Sequence, residues 1–356
     1  MKKASFFALL FVIGGIAARA EQLYVNQVTG KDANDGTRLS PLRTINEAAK
    51  RANLDKGKGG TEIILSEGVR LLIETALFTN NKYSSTNRLV IRADIMPDDN
   101  NWKPQRMPII VTVVPLKPGA FGDEANGLQI ETSHATIEGI RFSGSPDYWY
   151  KTDSTLSRSY PIWRGGKALD DLLVTQCLFA GNKDVLPLHV GVIANGHGLV
   201  LDHCVFYNCI NPVVFWEVDK GTSNRNGMRY CLVYGCTHSG VWTGTATNAN
   251  DFEFHHNIFA NCQAAWVREN SELVRENKDA HRYRIHDCIF TGNTNIAGYG
   301  FDPQGNAIGS PTDFLIMENV VTSGIITIEK SQKKHNYLQL AEGSPGSELG
   351  AGLFKH

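Results

Sequence analysis

The sequence predicts an all-β solenoid, a right-handed single-stranded parallel β-helix with a short N-terminal capping helix. Three observations carry the prediction. An apolar pattern returns every 26 to 31 residues, its units are short alternating strands, and two turn positions in each unit are held by Cys or Asn. A fixed period of this size marks stacked coils, each burying the face of its neighbour.

Cys177, Cys204 and Cys231 stand 27 residues apart; Asn257 follows 26 later, and Cys288 and Asn319 follow at steps of 31. Three positions upstream are Val174, Leu201, Met228, Phe254, Ile285 and Ile316. Two downstream are Phe179, Phe206, Val233, Phe259, Phe290 and Val321, and five downstream are Asn182, Cys209, Cys236, Cys262, Asn293 and Gly324. Apolar residues alternating at period two are strands, and the helical period is missing. A coil of three such strands takes roughly 22 to 30 residues. All seven cysteines fall in the two turn columns. An exported chain usually pairs its cysteines. Exchange with Asn at stacked positions instead predicts small, packed thiols, although rungs such as Cys204 and Cys231 come near enough to bridge.

The first twenty residues read as a signal peptide. Lys2 and Lys3 precede the apolar run Phe6–Ala18, and Ala18-Arg19-Ala20 offers cleavage before Glu21. Residues 21–356 are then one β-helix domain, with regular coils over about 126–330 and a closing segment at 331–356. A secreted or periplasmic monomer is expected. With 35 Lys and Arg against 36 Asp and Glu, the chain carries no basic footprint for nucleic acid. No later segment is apolar enough to span a membrane.

Thr44-x-x-Glu47 is a capping box, and Ile45, Ala48, Ala49 and Ala52 form one apolar face. A helix over about 44–53 would plug the first coil, where the core would otherwise be bare. Thr61–Leu65, Leu89–Arg92, Ile109–Val113 and Leu128–Ile130 read as strands of irregular early coils. Asp32-x-Asn34-Asp35-Gly36 suits a tight turn. Ca2+ is the one cofactor it would invite.

The opening Tyr24-Val25, Thr29-Gly30-Lys31-Asp32, Asn34-Asp35-Gly36-Thr37, Pro41, Thr44-Ile45 and Ala48-Ala49 resembles that of right-handed parallel β-helix proteins of the pectate-lyase-like superfamily. The later coils match that group's repeat, and Ser344-Pro345 with Gly350-Ala351 resemble its closing segment. The resemblance implies the fold. It leaves the reaction open, because neither a lyase signature with a fixed Lys/Arg pair nor the paired aspartates of β-helical polygalacturonases is found.

After the second turn column each unit enters another strand: Leu188–Val192, Val213–Glu217, Gly240–Thr243, Ala265–Arg268, Ile296–Tyr299 and Ile325–Ile328. With Val190, Phe215, Val241 and Val267 inward, alternation sends His189, Trp216, Trp242, Trp266 and Tyr299 outward, with Arg268 beside them. Coils stack roughly 4.8 Å apart, so these aromatics would form a platform for the apolar faces of a linear sugar chain. The alternative is that the tryptophans cover the core beneath long loops.

Those loops, Val218–Asn226, Gly244–Asn250 and Glu269–Arg282, would rim the same face, as would the insertion Ser145–Gly166 with Tyr148, Trp149, Tyr150, Tyr160 and Trp163. Elimination from a uronate polymer needs a base and cations; His189, Lys220, Arg225, Arg268 and Arg275 are candidates. Hydrolysis needs two carboxylates; Glu217, Asp219, Asp251 and Glu269 are candidates. His203, His255, His256 and His286 lie on the other turn and read as turn residues, with His255 and His256 pointing apart and no metal site predicted. The expectation is an exported enzyme cleaving an extended, anionic polysaccharide, lyase ahead of glycoside hydrolase. A non-catalytic glycan-binding or surface structural β-helix is the alternative.

Overall fold

A computed structural model describes residues 20–56, 59–119, 122–145, 158–182, 184–216, 223–244, 249, 251–269 and 282–355. The chain winds into stacked coils whose strands pair in parallel with those of the next coil. One face is a nine-stranded sheet; the rest is a 17-stranded sheet that bends over two faces. The bend is made by single left-handed residues: Gln176, His203, Tyr230, His256, Asp287 and Asn319 all have φ between 51° and 54°. One such residue redirects the chain without a loop, so Leu199–Asp202 passes directly through His203 into Val205–Tyr207.

The residue after each of the first five turns is the first predicted ladder position: Cys177, Cys204, Cys231, Asn257 and Cys288. Asn257 Oδ1 accepts from Cys231 N at 2.9 Å, and its Nδ2 donates to Met228 O at 2.7 Å. Cysteine reproduces both contacts. Cys204 N donates to Cys231 Sγ at 3.4 Å, and Cys204 Sγ reaches Val174 O at 3.4 Å. In the second column Asn293 Oδ1 accepts from Cys262 N, and Cys209 Sγ reaches Phe179 O. A thiol is one donor and a weak acceptor, so each contact of the amide has a thiol counterpart in the column, while Cys231 and Cys288 turn their S–H to carbonyls of their own coil, Arg229 O and His286 O. All seven thiols are buried and unbridged.

The predicted apolar columns pair in register: Phe142, Phe179, Phe206, Val233, Phe259 and Phe290 stack one above another inside. The last unit slips. Cys288 pairs with Val320 and Ile285 with Met317, so Asn319 is the turn residue opposite Asp287 rather than the ladder residue, and Val321 is exposed. One extra residue before this strand causes the shift. The strand expected at Ile325–Ile328 does not join the nine-stranded sheet; only Ile328 makes an isolated antiparallel bridge, to Leu340. The segment beyond turns back along the outside. Tyr337, Leu338 and Leu353 cover Leu178, Val205, Leu232 and Ile258, and Lys355 N reaches Asp98 Oδ1 at 3.1 Å.

The capping helix is Ile45–Leu54, with Ile45, Ala48, Ala49 and Ala52 buried against Leu23, Val25 and Leu42. Thr44 Oγ1 accepts from Glu47 N. Glu47 pairs with Arg51 instead of reaching back, and Asp32 takes its place at Thr44 N. Asp32 and Asp35 thus use their carboxylates on backbone N–H groups of the turn and its hydroxyls.

Burial raises the pKa values of Cys177, Cys209, Cys231, Cys236 and Cys288, the last pushed up to about 12. The folded protein should therefore show no fast thiol toward an aromatic disulfide reagent, and all seven after denaturation without reductant. A count short by a pair would reveal a bridge. Asn257→Ala removes both ladder bonds and should cost roughly 2–3 kcal/mol in denaturant unfolding, whereas Asn257→Cys should recover most of that loss.

Candidate functional site

The nine-stranded sheet runs through Ala76–Phe78, Gly122–Ile130, Arg158–Arg164, Leu188–Ala194, Cys209–Phe215, Ser239–Thr243, Ala264–Arg268 and Asn295–Gly298, with Lys117–Gly119 antiparallel beside Gly122–Ile130 as the ninth strand. Its register separates an inner from an outer set. Ile162, Val192, Val213, Val241, Trp266 and Ala297 pair in sequence and belong to the core. Trp163, Ile193, Val214, Trp242, Val267 and Gly298 pair one residue along and face out. Tyr160, Val190, Ile193 and Val214 form a separate apolar patch on which Trp163, Trp216 and Trp242 rest, each half-buried.

Trp216 and Trp242 therefore lie where alternation places them, and Phe215 and Val241 point inward as expected. Trp266 does not. It is 0% exposed, in the core, with Nε1 donating to Thr243 Oγ1 at 3.1 Å. The turn after Cys262 is one residue shorter than that after Cys236: Ala264 pairs with Ser239. A slip of one residue exchanges the faces of a strand, so Val267 moves outward and Arg268 inward. Arg268 is 0% exposed and lies over the Tyr283 ring at 5.3 Å. Tyr299, 3% exposed, packs inside against Phe314. Val190 faces out because Gly191 takes the inner position; a Cβ there would stand 3.1 Å from Phe179 and 3.2 Å from Phe206. His189 is 6% exposed and takes no part in an open platform.

The remaining candidates divide. Arg225 is bound to Asp170 at 2.5 Å, away from the aromatic patch. Glu269 follows the last residue of its strand, and its N–H donates to Thr243 O; Asp251 is an exposed turn residue. Glu217, Asp219, Lys220 and Arg275 lie outside the described residues, as do Tyr148, Trp149 and Tyr150. Trp163 and Tyr160, expected near this face, are on it, within a sheet strand rather than a loop.

One residue was not foreseen. His238 Nδ1 lies 3.0 Å from Asn211 Oδ1, which also accepts from Ser239 Oγ at 2.9 Å. A carbonyl oxygen only accepts, so Nδ1 carries the proton and Nε2 keeps its lone pair. The ring stacks on Trp242 at 5.5 Å and meets the edge of Phe301 at 4.8 Å. Burial holds its pKa below the ordinary 6.5. The extra residue that turns Trp242 outward also brings His238 beside it, and this length difference from the Cys262 unit was the available signal.

A groove of about 530 Å3 opens on the other sheet, between Arg88, Glu138, Asp171 and Arg229. There Arg88 is closed on Asp171 and Arg229 on Asp202 and Glu253. The aromatic face offers the better candidate, because among the described residues Nε2 of its imidazole has no hydrogen-bond partner.

No protein-family model and no curated protein matches the sequence. Solved structures do match in fold. A GH136 lacto-N-biosidase from Eubacterium ramulus, as its selenomethionine derivative, is 10% identical over 86% of this chain and 68% of its own, with a TM-score of 0.50. The chain is a right-handed parallel β-helix. A rhamnogalacturonan lyase, 12% identical, aligns over 94% of the β-helix and 100% of its own chain at a TM-score of 0.40. The pectin methylesterase from Aspergillus niger in deglycosylated form, also 12% identical, covers 94% and 96% at 0.40. At these identities the likeness is one of fold, and reactions vary on a fold. Among the described residues of the β-helix, no helix is long and apolar enough to cross a membrane.

Arg268→Ala should lower stability by roughly 2–5 kcal/mol, the range of large buried truncations, visible as a fall in melting temperature. Trp242→Ala should leave the melting temperature nearly unchanged, since its ring lies outside the core.

Proposed function

We propose that the β-helix is an exported carbohydrate-active enzyme that binds an extended polysaccharide along the outer face of its nine-stranded sheet. The observation that carries this reading is the juxtaposition of Trp242, Phe301 and the free Nε2 of His238. Sugar rings present C–H faces that stack on aromatics, and a positioned neutral imidazole is a general base. Trp163 and Trp216 extend the same surface. The leader read in the first twenty residues supports export.

A base beside an aromatic platform favours β-elimination from a uronate-containing chain. In that reaction His238 Nε2 takes the proton next to the carboxylate, and the glycosidic oxygen leaves from the adjacent carbon. The cation that neutralises the carboxylate would come from Lys220 or Arg275, since Arg268 is in the core and Arg225 is held by Asp170. Hydrolysis would instead draw on Glu217, Asp219, Asp251 or Glu269.

The deciding experiment incubates the purified protein with a panel of uronate-containing and neutral polysaccharides. Absorbance of unsaturated ends is followed separately from reducing ends. Elimination gives both signals; reducing ends alone mean hydrolysis, and binding with neither sinks the enzyme reading. His238→Gln should reduce turnover at least about a hundredfold, the usual weight of a general base, while Trp242→Ala should mainly raise KM. Because burial lowers the His238 pKa, activity should hold from neutral pH to below 6.5 before falling. The unfolded chain binds that proton more readily, so His238 also makes stability decline as pH falls through the same range.

A further inference from the structure

Two columns of side chains cross on the bend between the faces of the 17-stranded sheet. The strand column carries Arg229, His255, His286 and Glu318 in register. The left-handed turn column carries Tyr230, His256, Asp287 and Asn319. Alternation placed His255 and His256 on opposite sides, but a positive φ of 54° at His256 breaks the pleat, and their Nδ1 atoms lie 3.0 Å apart. The donor atoms of His256, His286 and Asp287 all lie within 4.8 Å of one another, and each residue is half-buried.

The hydrogen bonds fix which nitrogen is available. Glu253 Oε1 is 3.0 Å from His255 Nε2 and can only accept, so that nitrogen bears hydrogen. His255 Nδ1 is then an acceptor, His256 Nδ1 donates to it, and His256 Nε2 is left with a bare lone pair. Asp287 Oδ2 lies 2.7 Å from His286 Nδ1, so an ion shared by the two takes the place of the Nδ1 proton, and His286 then carries its hydrogen on Nε2. Asn319 Nδ2 donates to Asp287 Oδ1 at 3.2 Å and orients the carboxylate. An imidazole whose second nitrogen is tied to a carboxylate through a neighbour, as that of His256 is through His255 to Glu253, is arranged as metal ligands are.

We propose that His256, His286 and Asp287 form a binding site for one divalent transition ion, Zn2+ or Cu2+, remote from the aromatic face. Two imidazoles and a carboxylate suit these borderline ions rather than Ca2+ or Mg2+. The ligands come from successive coils, so the ion clips one turn to the next and stabilises the folded chain by mass action. His255 and Glu253 are positioning residues.

The test titrates the metal-free, full-length mature protein with Zn2+ and with Co2+ as a spectroscopic substitute, following heat, visible absorption and melting temperature. One ion per chain should bind, with an upward shift in melting temperature and a cobalt spectrum free of thiolate charge transfer. His256→Gln, His286→Gln and Asp287→Asn should each weaken binding at least about tenfold and abolish the shift; Asn tolerates the left-handed turn, so Asp287→Asn keeps the fold. His203→Gln should bind as the parent does. Unchanged affinity in the first three variants, saturation only at millimolar metal, or a thiolate spectrum would overturn the site.

Discussion

The structure depends on the pairing of a left-handed turn residue with the buried ladder residue that follows it. A non-glycine residue in this conformation costs roughly 1–2 kcal/mol, and the turn repeats in successive coils. What holds it is exchange across the stack: Asn257 accepts the N–H of the preceding rung and donates to a carbonyl beneath it, and Cys231, Cys288 and Cys204 each supply part of the same pattern. Without that exchange, tight turns would leave buried backbone groups unmet. Asn and Cys satisfy the same geometry, the amide with stronger bonds and the thiol with smaller volume and easier burial. The phenylalanine column packs next to this ladder, with Phe179 and Phe206 stacked at 4.6 Å.

The ladder was legible because it recurs at steps of 26 to 31 residues and exchanges Cys with Asn, and so the coils, the free thiols and the inward phenylalanines followed from the pattern. Reading failed where turn length varied by one residue. Trp266, Arg268 and Tyr299 were expected outside and are inside, while Val267 moved the other way. A strand has no memory of its side beyond the turn that feeds it, and turn length is what sequence patterns specify least. Asn319 was mistaken for a ladder residue for the same reason. His238 escaped notice because its role arises from partners in three different segments, Asn211, Trp242 and Phe301, which only the wound chain brings together.

Interior and exterior thus divide the work. Inner positions are committed to stacking on their equivalents, which leaves them no freedom to serve a ligand. Chemistry falls to outward rows and to the turns. On the 17-stranded sheet the outward charges are mostly matched along the stack, Arg92 with Glu62 and Arg229 with Asp202 and Glu253. The aromatic patch is different: its rings offer apolar faces rather than charges, and among the described residues Nε2 of the imidazole beside them has no hydrogen-bond partner.

The returning C-terminal segment changes the mechanical character of the molecule. A simple solenoid is a linear array in which each coil is fastened only to its neighbours and can fray from an end. Here Gly352 N bonds Tyr230 O, Leu353 O accepts from Gln176, and Lys355 reaches Asp98. The last residues of the chain are therefore lashed to coils laid down long before them. Peeling the final coil requires lifting this strap from the middle of the stack, so the array behaves as a closed unit. The coils that carry Asp98, Gln176 and Tyr230 must also be wound before this segment has a seat on them.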